Sequence, residues 1–120
     1  MFKKLIEGFK DSLIDARFEA DLFSSQKPGK EFGEAVYLVH TRGHFSLKVT
    51  LKSNFNLPED NTVCLLLNGE KITEFIVSGE KTVVSLNTKE GQTIPKIGAG
   101  DSIELSYDDK IFLNGKFEKD

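Results

Sequence analysis

Residues 34–52 read Glu-Ala-Val-Tyr-Leu-Val-His-Thr-Arg-Gly-His-Phe-Ser-Leu-Lys-Val-Thr-Leu-Lys, and this stretch decides the fold. Two runs of alternating character, Glu34 to His40 and His44 to Lys52, flank Thr41-Arg42-Gly43. Those three residues suit a hairpin loop built as a type I turn and closed by Gly in the left-handed conformation. In that register His40 faces His44, Val39 faces Phe45, Tyr37 faces Leu47 and Ala35 faces Val49. One face of the ribbon then carries Ala35, Tyr37, Val39, Phe45, Leu47, Val49 and Leu51, all fit for a core. A two-residue loop on Arg42-Gly43 would pair His40 with Phe45 and mix the faces, so the pattern selects the first register. The opposite face reads Glu34, Val36, Leu38 and His40 against His44, Ser46, Lys48 and Thr50. Val36 and Leu38 do not belong in water, and their presence there predicts a cover.

The period of two extends outward in both directions. Phe18, Ala20 and Leu22 alternate with Glu19 and Asp21 as a half-buried strand, and Ser24 to Lys30, with Pro28-Gly29, reads as a loop. Beyond a loop at Ser53 to Asn61, Thr62 to Leu67 is a nearly continuous apolar run, which predicts a strand buried on both sides. Asn68-Gly69 is a strong hairpin signal, returning through Lys71 to Val77. Ser78-Gly79 turns the chain into Thr82 to Asn87, and Glu90-Gly91 and Pro95 to Gly100 are loop. Ser102 to Tyr107 points Ile103, Leu105 and Tyr107 inward. Asp108-Asp109 then turns the chain into Ile111 to Leu113, which extends toward Phe117. About eight short strands with tight turns predict a mainly β chain, an antiparallel β-sandwich of Ig-like or Greek-key type.

The N-terminus has a different period. Phe2, Leu5, Ile6, Phe9, Leu13 and Ile14 recur at steps of three and four, with Lys3, Glu7, Lys10, Asp11 and Asp15 opposite them. The spacing predicts an amphipathic helix from Phe2 to Asp15. The chain thus divides into a helical segment 1–16 and a β-domain 17–120, within a single domain overall. The stripe is the nearest cover for Val36 and Leu38, and it is larger than they are. The expectation is therefore a helix packed partly on its own sheet and partly on a second copy, as a homodimer. A membrane-surface role is the less favoured reading, because such helices carry a basic polar face and this one is mixed.

Composition removes several classes. The 120 residues carry 16 basic and 19 acidic side chains, a net charge of −3. With a pI near 5.4 the chain lacks the basic footprint that nucleic acid requires. No apolar run approaches the roughly 20 residues of a membrane span. A single Cys forbids an internal disulfide and suits a reducing, cytoplasmic setting.

Candidate chemistry is sparse. His40 and His44 are cross-strand neighbours, with Cβ atoms about 4.5–5.5 Å apart, and could share a metal. Zinc needs further ligands that the sequence does not place there, so solvated turn residues are the plainer reading. Cys64, inside an apolar strand, reads as a small core residue rather than a nucleophile. Gly98-Ala99-Gly100-Asp101 leads into a strand, not a helix, and is therefore a turn and no phosphate cradle. Asp108-Asp109 lacks the ligand spacing of a calcium loop. The reading is a non-enzymatic protein-interaction module without cofactor, its surface formed by Phe2, Leu5, Ile6, Phe9, Leu13, Val36 and Leu38. The rival is a ligand-binding or enzymatic domain with a site assembled from loops 24–32, 53–61 and 88–101.

Phe18-x-Ala20-x-Leu22, Gly33-x-Ala35 and Leu47-x-Val49 together resemble the opening of the CHRD-type β-sandwich modules. The resemblance covers roughly the first three strands and implies an antiparallel sandwich of non-catalytic type. It transfers no site, because Val63 to Leu67 lacks the histidine associated with that family.

Overall fold

The computed structural model describes residues 14–24, 27–52, 62–77 and 81–120. These form β1 (Ile14–Ser24), β2 (Lys27–His40), β3 (Phe45–Lys52), β4 (Thr62–Leu67), β5 (Glu70–Ile76), β6 (Lys81–Asn87), β7 (Ser102–Tyr107), β8 (Lys110–Lys116) and β9 (Glu118–Lys119). A single 3₁₀ turn, Thr88–Glu90, follows β6. All pairings are antiparallel, in the order β5-β4-β7-β8-β1-β2-β3-β6, and β9 pairs with β1. The sheet curls until it is nearly closed, so strands from both ends of the order bury their inner faces in one core. Leu47, Val49 and Leu51 of β3 and Val63, Leu65 and Leu67 of β4 are each buried to within about 1%.

The β2–β3 hairpin has the predicted register, with Tyr37 opposite Leu47 and Val39 opposite Phe45. The His40 N–H donates to the His44 carbonyl at 2.9 Å, and the Gly43 N–H donates to the His40 carbonyl at 2.9 Å. Gly43 takes φ +93°, the region that a β-branched residue avoids. At Asn68-Gly69 both residues have positive φ, 51° and 82°, the type I′ geometry whose twist matches the flanking strands. Tyr37 sits at the centre of the core, its ring 5.7 Å from Phe45, 6.2 Å from Phe18 and 6.4 Å from Phe117. Its hydroxyl donates to the Pro95 carbonyl, and burial pushes the phenol above its usual range. Ile94 and Ile97 are buried as well, so the segment after the 3₁₀ turn packs into the core.

The structure corrects five expectations. Of the predicted helix Phe2–Asp15, only Ile14 and Asp15 fall among the described residues, and both belong to β1. Ile14 pairs with His40 across the ladder, and that pairing overrides the helical spacing. The boundary at residue 16 therefore falls inside a strand, and residues 2–13 lie outside the described residues. Second, the loop expected over Ser24 to Lys30 shrinks, because Ser24 pairs with Lys27 and Phe23 with Glu31 through two register shifts. Third, Thr62–Leu67 is not buried on both sides: Val63, Leu65 and Leu67 point in, while Cys64 and Leu66 are half-buried on the outer face. Fourth, Tyr107, expected inward, is only half-buried, while its neighbour Ser106 is 9% exposed, after a bulge in β7–β8 pairing. Fifth, His40 is not a solvated turn residue but is only 7% exposed.

Candidate interaction surface

The outer face of β1-β2-β3-β6 can be laid out row by row from its registers. Arg17, Leu38, Ser46 and Asn87 form one row; Glu19, Val36, Lys48 and Ser85 form the next; Asp21, Glu34, Thr50 and Val83 form the third. Val36 and Leu38 thus occupy neighbouring rows in the middle strand, ringed by polar and charged side chains. Both are half-buried in a groove of about 510 Å³ whose walls include Arg17, Glu34, Lys48 and Glu90. Arg17 is held by Glu19 at 2.9 Å and by Asp120 at 3.1 Å, and its hydrogen bond keeps the Glu19 carboxyl below the ordinary range. These pairs are exposed and shape the rim rather than stabilise the fold.

Ile14 lies on the same face as Leu38, because its partner His40 has the parity of Leu38 in β2. Its side chain is 46% exposed. β1 therefore begins on this face with an apolar side chain in the open.

His40 and His44 do meet, as the register requires, but not as a metal site. Their rings stack with centroids 4.0 Å apart and planes 9° apart. Lone pairs in two nearly parallel rings run side by side and do not converge on one ion. His40 Nε2 also shares a 2.9 Å hydrogen bond with Ser46 Oγ. Its Nδ1 is buried without a partner among the described residues. Burial, with His44 and Lys89 adding their charge, holds His40 below the usual imidazole range.

The sequence did not flag Asp21, Glu31 and Glu34, whose carboxylates come within 4.8 Å of one another at the β1–β2 ladder. The Asp21–Glu34 pairing would have revealed it only after the β1–β2 register was known. Lys52 already answers Glu31 at 3.4 Å, and the three are open to solvent or half so. Cys64 lies between Glu74 and Ser106 on neighbouring strands. Of the loops named for the rival reading, 53–61 lies outside the described residues, 27–32 belongs to β2, and 88–101 sends Ile94 and Ile97 into the core. Among the described residues no helix is long and apolar enough to cross a membrane. No protein-family model, curated protein or solved structure matches the chain.

Proposed function

We propose that this chain is a non-catalytic protein-interaction module that associates with a second copy of itself. The observation that carries the reading is the pair Val36 and Leu38, seated in a polar-rimmed groove on the outer face of the sheet. The occupant is the apolar stripe Phe2, Leu5, Ile6, Phe9 and Leu13, which joins this face at the exposed Ile14. The stripe offers five large apolar side chains to the two that the groove exposes. The surplus of the stripe is left for the second copy. The two four-stranded halves, β5-β4-β7-β8 and β1-β2-β3-β6, meet on the β8 side at the one ladder pair Phe23–Asn114, with the two-residue β9 beside it, and so narrow a junction supports a sandwich architecture. A half-buried single Cys with no possible internal disulfide partner favours a reducing, cytoplasmic setting.

The test is the paired variant Leu5→Glu with Phe9→Glu in the full chain, followed by thermal unfolding and sedimentation equilibrium. Burying a large apolar side chain contributes about 1.5–3 kcal/mol, so the variant is expected to lose stability and to associate more weakly. Unchanged stability and unchanged association would overturn the reading.

A further inference from the structure

The two edges of the sheet are treated very differently. β5 presents Glu70, Lys71 and Glu74, with Lys71 and Glu74 ion-paired, and its pairing to β4 is broken by a bulge between Leu65 and Leu66. Charge and bulges of this kind are how an edge is kept from pairing with another chain. β6 carries a single charge, Lys81 at its first position; from Thr82 to Asn87 it reads Thr-Val-Val-Ser-Leu-Asn, and its ladder to β3 is unbroken.

The direction of its backbone groups follows from two contacts. His40 bonds His44, so along β3 the residues of even number face β2 and Leu47, Val49 and Leu51 face β6. Their partners Leu86, Val84 and Thr82 are thereby satisfied. Asn87 points the other way, its N–H donating to Gln92 Oε1 at 2.7 Å. Val83 and Ser85 share that direction, and their N–H and C=O groups have no partner among the described residues. Val83 is also 48% exposed.

We infer that the β6 edge is the interface with a second copy of this chain, β6 pairing antiparallel with β6 about a two-fold axis at Val84. Only registers that set odd residues opposite odd residues let the outward groups bond one another. The register centred on Val84 sets Val83 opposite the partner's Ser85, where the outward groups bond one another, and brings Lys81 opposite the partner's Asn87, whose N–H stays with Gln92. No like charges meet in it, and a two-fold contact must be self-complementary in just this way. The dimer joins the two outer faces edge to edge, so that the groove beside Ser85 on one copy continues into that of the other. The inference deepens the self-association proposed above but stands on a different surface.

Sedimentation equilibrium on the full chain tests it, with circular dichroism to confirm folding. In the double variant Val83→Glu with Ser85→Glu, carboxylates oppose carboxylates across the axis, while the one introduced at position 85 sits beside Lys48 of its own β3. The expected result is a roughly tenfold or greater weakening of the dimer, with the spectrum unchanged. Mixing it with a Val83→Lys, Ser85→Lys double variant restores association, since an ammonium on one copy then opposes a carboxylate on the other at both positions. Ser85→Pro, which removes one outward N–H at an edge position, weakens the dimer independently. A dimer that resists the Glu pair but is lost in Leu5→Glu with Phe9→Glu overturns the edge while sparing the interaction module. A full chain that is monomeric at high micromolar concentration overturns the self-association of both.

Discussion

The His40 ring has exchanged water for Ser46 at one nitrogen, and at the other it finds no partner among the described residues. A proton added there finds His44 stacked on the ring, Lys89 nearby, and no carboxylate in contact among the described residues. The neutral imidazole is therefore the form the fold accepts. With the folded value lowered from 6.5, the unfolded chain binds the proton first as pH falls. The His40 contribution to stability is whole above pH 6.5 and is lost as pH drops from there toward the folded value. Urea unfolding across about pH 7.5 to 4.5 should show this decline, and His40→Gln should flatten it. The pair was visible in the sequence because a three-residue turn places both histidines opposite each other. Its burial was not, because the Thr88–Glu90 turn that brings Lys89 close follows a strand remote in sequence.

At the scale of the element, the β2–β3 hairpin is legible from its own residues. Alternation chose the inward face, and Gly43 supplied the one backbone conformation that lets the turn close on it. Gly43→Val forces a β-branched side chain into that conformation and should destabilise the domain by about 1–2 kcal/mol, read from the shift in the urea midpoint. A structure-neutral substitution at the neighbouring Arg42, which is exposed, serves as the control. Asn68-Gly69 was readable for the same reason. By contrast, Ile14 and Asp15 carry a helical spacing and form a strand, because the backbone of His40 at the end of β2 supplies a partner that no local pattern announces. Cys64 failed similarly: Val-Cys-Leu-Leu-Leu looks apolar throughout, and only the sheet decides that its even positions face out. The candidate surface was half legible, since the outward Val36 and Leu38 followed from the register, whereas the position of β6 at the sheet edge required the strand order.

For the whole molecule, the pairings that close the sheet are remote in sequence. β4 finds β7, and β1 finds β8 and β9, with nothing in their own residues to name the partner. The narrowest point is where β8 crosses β1. A Cβ on Gly115 would fall well inside contact distance of the Asp21 carbonyl oxygen, so the two backbones touch with no room for a side chain. Gly115→Ala must spread that seam, and the expected cost is about 1–3 kcal/mol in the thermal unfolding transition. The loss should fall on cooperativity too, since Phe117, fully buried just beyond, is held by backbone bonds to Gly100 and Asp101.

The pairing of β9 with β1 sets Asp120 against Arg17, the Asp120 N–H donating to the Arg17 carbonyl at 2.9 Å. These two points lie side by side on antiparallel strands. A pull that separates them does not shear a row of hydrogen bonds all at once. It loads them one at a time, first at Asp120, then along Lys119 and Glu118, like a zip opened from its end. Tethered through this corner, the protein would yield to a small force, whereas tension along the length of β2 and β3 would meet their whole ladder together.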